Sequence, residues 1–130
     1  MNNNYGFGKT VTGSFNILIA KVTNALQKEG FGILSDIDVA TTLKKKLNLD
    51  IPPYRILGAC NPQLAHRALE AEASIGLLLP CNVVIREDQN REIYVEILDP
   101  NIMVVLTNNQ KIKPLAIEAR ERLERVLAEL

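Results

Sequence analysis

Two cysteines, a single histidine and a closely spaced pair of aspartates are the residues of this 130-residue chain whose types and spacing could do chemistry. Cys60 falls between a strand-like run and Asn61-Pro62, a capping side chain followed by a proline at a first helical position. Unpaired amides and the macrodipole at a helix start favour an anion, so this placement predicts a thiol that ionises easily and acts as a nucleophile or sensor. The competing reading is a small apolar side chain, the usual role of a buried free cysteine. Cys81 follows Pro80, and a proline in a strand is confined to an edge, a bulge or a strand start, so Cys81 is expected at an irregularity. If the strands carrying Cys60 and Cys81 are neighbours, the sulfurs share a pocket. Asn61 and Asn82, each directly after a cysteine, would then supply amide hydrogen bonds. Cys60, Cys81 and His66 lack the close Cys-x-x-Cys pairs of zinc ribbons and fingers, so no metal site is expected.

His66 shares a helical face with Gln63, Arg67 and Glu70 rather than with Leu64, Ala65 and Leu69, and is expected to point outward. An exposed ion pair with Glu70, four residues on, is its ordinary meaning. An acid–base enzyme would instead need His66 turned into a cleft. Asp36 and Asp38 lie two apart on a predicted strand, which aims both carboxylates at one face about 7 Å apart. That suits a hard cation or an acid–base pair, but a cap at a strand end is the plainer expectation. Lys44, Lys45 and Lys46 have no interleaved aromatics and read as solvated. No Ser-His-Asp order, phosphate-cradling loop or dinucleotide fingerprint occurs, since Gly6-Phe7-Gly8 is too short and wrongly placed.

These residues must be held by elements that the periodicities define. Tyr5 to Val11 alternates as a strand, and Gly13-Ser14 forms a turn whose hydroxyl should cap a helix running to about Glu29. Phe15, Leu18, Ile19, Val22, Ala25 and Leu26 make its apolar stripe, and Gly30 stops it in the left-handed conformation. Phe31 to Val39 reads as a strand, Thr41 to Leu47 as a short helix, and Pro52-Pro53 as the break before a third strand, Tyr54 to Ala59. The helix opened by Pro62 should bury Leu64, Ala65, Ala68 and Leu69. Leu77 to Arg86 and Arg91 to Leu98 form a hairpin around Glu87-Asp88-Gln89-Asn90. Ile102 to Leu106, five apolar residues, fits either a short helix or another strand, and helix is the preferred reading. Pro114 to Leu130 carries the clearest helical face in the chain, with Glu118–Arg122 and Glu121–Arg125 as ion pairs four apart.

A chain of this length normally forms one core, burying roughly two thirds of its unfolded surface, so residues 1–130 are read as a single domain. With 47% apolar and 23% charged residues, disorder is not indicated. Fifteen basic residues balance fifteen acidic ones, so no summed field draws in nucleic acid. The start of the chain lacks a signal-like basic patch and apolar stretch, and no run is long enough for a bilayer span, so a cytoplasmic protein without membrane contact and with reduced thiols is expected.

The run Tyr54-Arg55-Ile56-Leu57-Gly58-Ala59-Cys60-Asn61-Pro62, continued through Leu64 to Leu69 and through Gly76 to Val83, resembles the signature of the domain-of-unknown-function family 302. Gly30 to Leu34, Asp36-Ile37-Asp38, the lysines ending at Lys46 and Asp99-Pro100 extend the resemblance over nearly the whole chain. The resemblance implies an α+β fold like that of the TATA-binding protein, with a curved antiparallel sheet of four to five strands and helices on one face, in homodimers. It implies no activity or cofactor, and fold likeness to a DNA-binding saddle is no argument for DNA binding. Three functions are therefore expected in order: a small-ligand or thiol-sensing module centred on Cys60, a non-catalytic homodimeric interaction protein, and an acid–base enzyme using His66.

Overall fold

A computed structural model describes residues 3–130, so Met1 and Asn2 of the asparagine-rich start lie outside the described residues. Five strands, β1 (Gly6–Val11), β2 (Gly32–Asp38), β3 (Tyr54–Cys60), β4 (Cys81–Glu87) and β5 (Ile93–Leu98), form one antiparallel sheet in the order β1-β5-β4-β3-β2. Five helices accompany them: α1 (Phe15–Lys28), α2 (Val39–Leu47), α3 (Pro62–Ala71), α4 (Asn101–Thr107) and α5 (Lys113–Ala128), with a 3₁₀ segment at Ala73–Leu78. The fold is α+β, with helices packed on one side of an open sheet.

Strand alternation explains this layering. The register sets Leu57 opposite Val83, Val83 opposite Ile97, and Ile97 opposite Phe7, so one row of apolar side chains crosses four strands. Leu18, Val22, Ala25 and Leu26 of α1 and Leu123 and Val126 of α5 cover that face. The other face carries Asn82, Arg86, Tyr94 and Glu96, which remain partly or fully accessible. A second apolar cluster of Leu64, Ala68, Ile75, Cys81, Met103, Ile112, Leu115 and Ala119 fills one end of the molecule.

The helix ends show which local signals act. Gly30 takes φ +85°, which lets Phe31 N donate to Leu26 O at 2.9 Å and Gly30 N to Gln27 O at 3.1 Å, closing α1 as the sequence suggests. Arg122 Nη1 adds a bond to the Glu29 carbonyl at 2.9 Å, fastening α5 to that end. Ser14 sits at the start of α1, but its hydroxyl makes no capping bond; its carbonyl accepts from Leu18 N. Arg122 pairs with Glu118 as expected, whereas Arg125 bonds Glu29 instead of Glu121, because the C-terminus of α1 lies within its reach.

Two further expectations are corrected. Leu77 to Pro80 is not strand: the chain turns through the 3₁₀ segment, with Ile75 N bonded to Glu72 O and Leu79 N to Gly76 O, and β4 begins only at Cys81. Proline offers no N–H to a ladder, so pairing starts after Pro80. In α3 only Leu64 and Ala68 are buried, while Leu69 stays 43% exposed. At the sheet edge, Gly8 lies so close to β5 that a Cβ there would stand 2.0 Å from the Val95 carbonyl oxygen. The neighbouring Phe7 ring is covered by the Arg120 guanidinium, 3.7 Å from its centroid, which also bonds Asp99 at 2.8 Å. Among the described residues, no helix is long and apolar enough to cross a membrane.

Candidate functional site

The backbone brings the two cysteines together. Ala59 is the cross-strand partner of Cys81, so Cys60 is one residue from direct register with it, and both border one cavity of about 360 Å³. That cavity lies between the ends of β3 and β4, α3, the 3₁₀ segment, α4 and α5. Its cause is a shortage of side-chain volume: Ala65 and Ala68 on α3 and Ala116 and Ala119 on α5 line it, and methyl groups on two facing helices do not fill the gap. Leu64, Ile75, Met103 and Leu115 complete its walls, and Leu34 and Leu69, both accessible, stand at its border.

Asn61 is the buried polar side chain of this region, 8% exposed. Its Oδ1 accepts from Leu64 N at 3.1 Å and its carbonyl accepts from Ala65 N at 2.9 Å, which starts α3 as the Asn-Pro pair predicts. This cap overturns the electrostatic expectation for Cys60. Pro62 has no amide hydrogen and the Leu64 amide is taken by Asn61, so the helix start has little left to offer a thiolate. Burial pushes the Cys60 thiol up from its ordinary value. Burial first, and the neighbouring Cys60 second, push Cys81 up to about 11. Both thiols are free and held in the protonated form at neutral pH, which makes them weak nucleophiles.

The other candidates lie elsewhere. Asn82 is exposed and borders a separate groove with Tyr5, Leu77 and Leu98 instead of hydrogen-bonding near the thiols. His66 points outward with its side chain 75% exposed and its Nε2 3.2 Å from Glu70 Oε1, so no cleft surrounds it. Asp36 is bound by Arg55 across the β2–β3 pair. Asp38 caps α2 by accepting from Thr41 N at 3.0 Å, and that backbone bond holds its carboxyl below the usual range. The two aspartates therefore have separate partners and neither borders the cavity. Among the described residues, no group of three or more His, Cys, Asp or Glu side chains is placed to hold a metal.

Sequence reasoning located Cys60, Asn61 and Cys81 but missed the apolar walls around them. The available signal was the pair of small-residue steps, Ala65/Ala68 and Ala116/Ala119, each three apart on its helix.

An open five-stranded antiparallel sheet with helices on one side and an apolar pocket at one end defines a small α+β domain of pocket-bearing type. The chain belongs to the family described as Domain of unknown function DUF302, which matches residues 7–130. It is similar to the crystal structure of an uncharacterized conserved protein DUF302 from Bacillus stearothermophilus, with a TM-score of 0.88 and 30% sequence identity over 95% of this chain and 96% of that one. No curated protein matches it.

Proposed function

We propose that this chain is a binding module for a small molecule, held in the cavity bordered by Cys60, Asn61 and Cys81. The observation that carries the reading is the cavity itself: about 360 Å³ is within the range of small-ligand sites, and its lining is almost wholly apolar. Thiol sensing is the weaker part of the earlier expectation, because burial disfavours the thiolate at both cysteines. The acid–base reading loses its basis with the outward His66.

A ligand of about 15 heavy atoms, at roughly 0.4 kcal/mol per atom, would bind with a dissociation constant of tens of micromolar. The neutral dye N-phenyl-1-naphthylamine is expected to brighten saturably at one site per chain in that range, and Ala68→Leu to suppress the signal by occupying its space. A rise that never saturates, or one indifferent to Ala68→Leu in a folded variant, would remove the proposal.

A second reading, a homodimer, is favoured by one observation. Leu77 is 88% exposed, and Tyr5 and Leu106 are exposed beside it around the groove that Asn82 borders. Clustered apolar surface of this kind commonly marks an interaction site. Sedimentation at micromolar concentration is expected to give twice the chain mass, reverting to one chain in Leu77→Asp; a monomer before mutation ends this reading.

A further inference from the structure

We infer that the molecule taken by the cavity is uncharged: an alkyl or aryl compound carrying at most one hydrogen-bond acceptor. This inference rests on the ligand-binding reading above and adds the chemical class. No Asp, Glu, Lys, Arg or His borders the cavity. Two arginines and the histidine on the helices that wall the cavity are engaged elsewhere. On α5, Arg120 next to Ala119 bonds Asp99 and Glu124, and Arg122, one turn on, bonds Glu118 and the Glu29 carbonyl. On α3, His66 pairs with Glu70 at the surface. The groups on the walls that can ionise are the two thiols, which burial keeps protonated and thus neutral.

Polar recognition is equally sparse. Among the described residues, Asn61 is the one lining side chain besides the thiols that carries a polar group, and its oxygen is engaged in the α3 cap, so at most its amide donor is left for one carbonyl, ether or hydroxyl oxygen. Leu34 and Leu69 extend the apolar lining to the surface. An ion drawn in here would give up hydration with no countercharge in return, a loss that outweighs what its hydrocarbon part gains.

The test uses three rigid bicyclic compounds, so that a charge cannot trail into solvent: 2-naphthol, 2-naphthoate and 2-naphthylmethylammonium, titrated at pH 7 into the ¹⁵N-labelled chain. Saturable shifts of the Ala68, Cys81 and Ala119 amides with naphthol, at least tenfold tighter than with either ion, are expected. Ala116→Leu, which fills the cavity from the wall opposite Ala68, should abolish them, with Ala68→Leu as the alternative should one variant fold poorly. An ion binding these same amides as tightly as naphthol would overturn the chemical class while leaving a binding site. Saturable naphthol shifts confined to the groove beside Leu77 would overturn the placement, and no saturable shift with any of the three would overturn the binding reading itself.

Discussion

Raising the pH from 9 to 11 is expected to cost the native state about 2 kcal/mol through ionisation of Cys81, and Cys81→Ala is expected to flatten that part of the stability profile. The thiol goes from an ordinary 9.0 to about 11 because burial disfavours its charged form. A folded-state value above the unfolded one means the native state holds the proton more tightly. The stabilisation is thus complete below pH 9 and is lost as pH rises through 11. Two pH units of difference correspond to about 3 kcal/mol over the whole titration, of which about 2 kcal/mol falls between pH 9 and 11. Set against the roughly 5–15 kcal/mol that separates folded from unfolded domains, that is a large share. Urea denaturation at intervals from pH 8 to 11 measures it. The quantity that decides is the difference in slope between the native chain and Cys81→Ala, so the missing sulfur's constant effect on packing does not enter. Parallel profiles would show that Cys81 reaches water and that the cavity wall is not dry.

Gly8→Ala is expected to destabilise the chain by about 3 kcal/mol, the upper end of overpacking costs, because the new methyl meets a neighbouring strand's backbone rather than a yielding side chain. With the Val95 carbonyl oxygen only 2.0 Å from the added carbon, β1 and β5 must separate locally, and the Gly8–Glu96 pairing with them. Gly32→Ala is the control, since nothing stands within 4 Å of a Cβ there. Urea midpoints should therefore fall sharply for the first and hardly move for the second. Amide exchange should show Gly6 to Val11 losing protection first. Equal midpoints for the two variants would mean that β1 carries little of the sheet's stability.

What the sequence revealed and what it hid follow from the range of each interaction. Helix α5, the Gly30 stop and the Asn61-Pro62 start rest on contacts within about four residues, and they read correctly. The α+β class and the hairpin also emerged, because alternation along β4 and β5 records which face is buried. Leu77 to Pro80 misled because an apolar run has the same appearance in a strand and in a 3₁₀ turn. Leu69 misled because helical spacing marks a face without saying how much of it a neighbour covers. The reading of Cys60 failed for a subtler reason: the dipole argument counted free amides, while Asn61 and Pro62 between them had already removed two. Of the cavity only the end bordered by the two cysteines was legible; its apolar walls were hidden, since they meet only where α3 and α5 face each other, some fifty residues apart in the chain.

The strand order carries a consequence for how the chain assembles. The first strand, β1, pairs with the last, β5, with register running from Gly6–Leu98 to Val11–Ile93. On a ribosome, Gly6 to Val11 therefore emerges with no partner and must wait until Leu98 has cleared the exit tunnel. The interval is on the order of five to twenty seconds at ordinary elongation rates of about 5–20 residues per second. The β2–β3–β4 meander can form meanwhile, so β1 zips on as a late event whose loop-closure entropy sets the pace of completion.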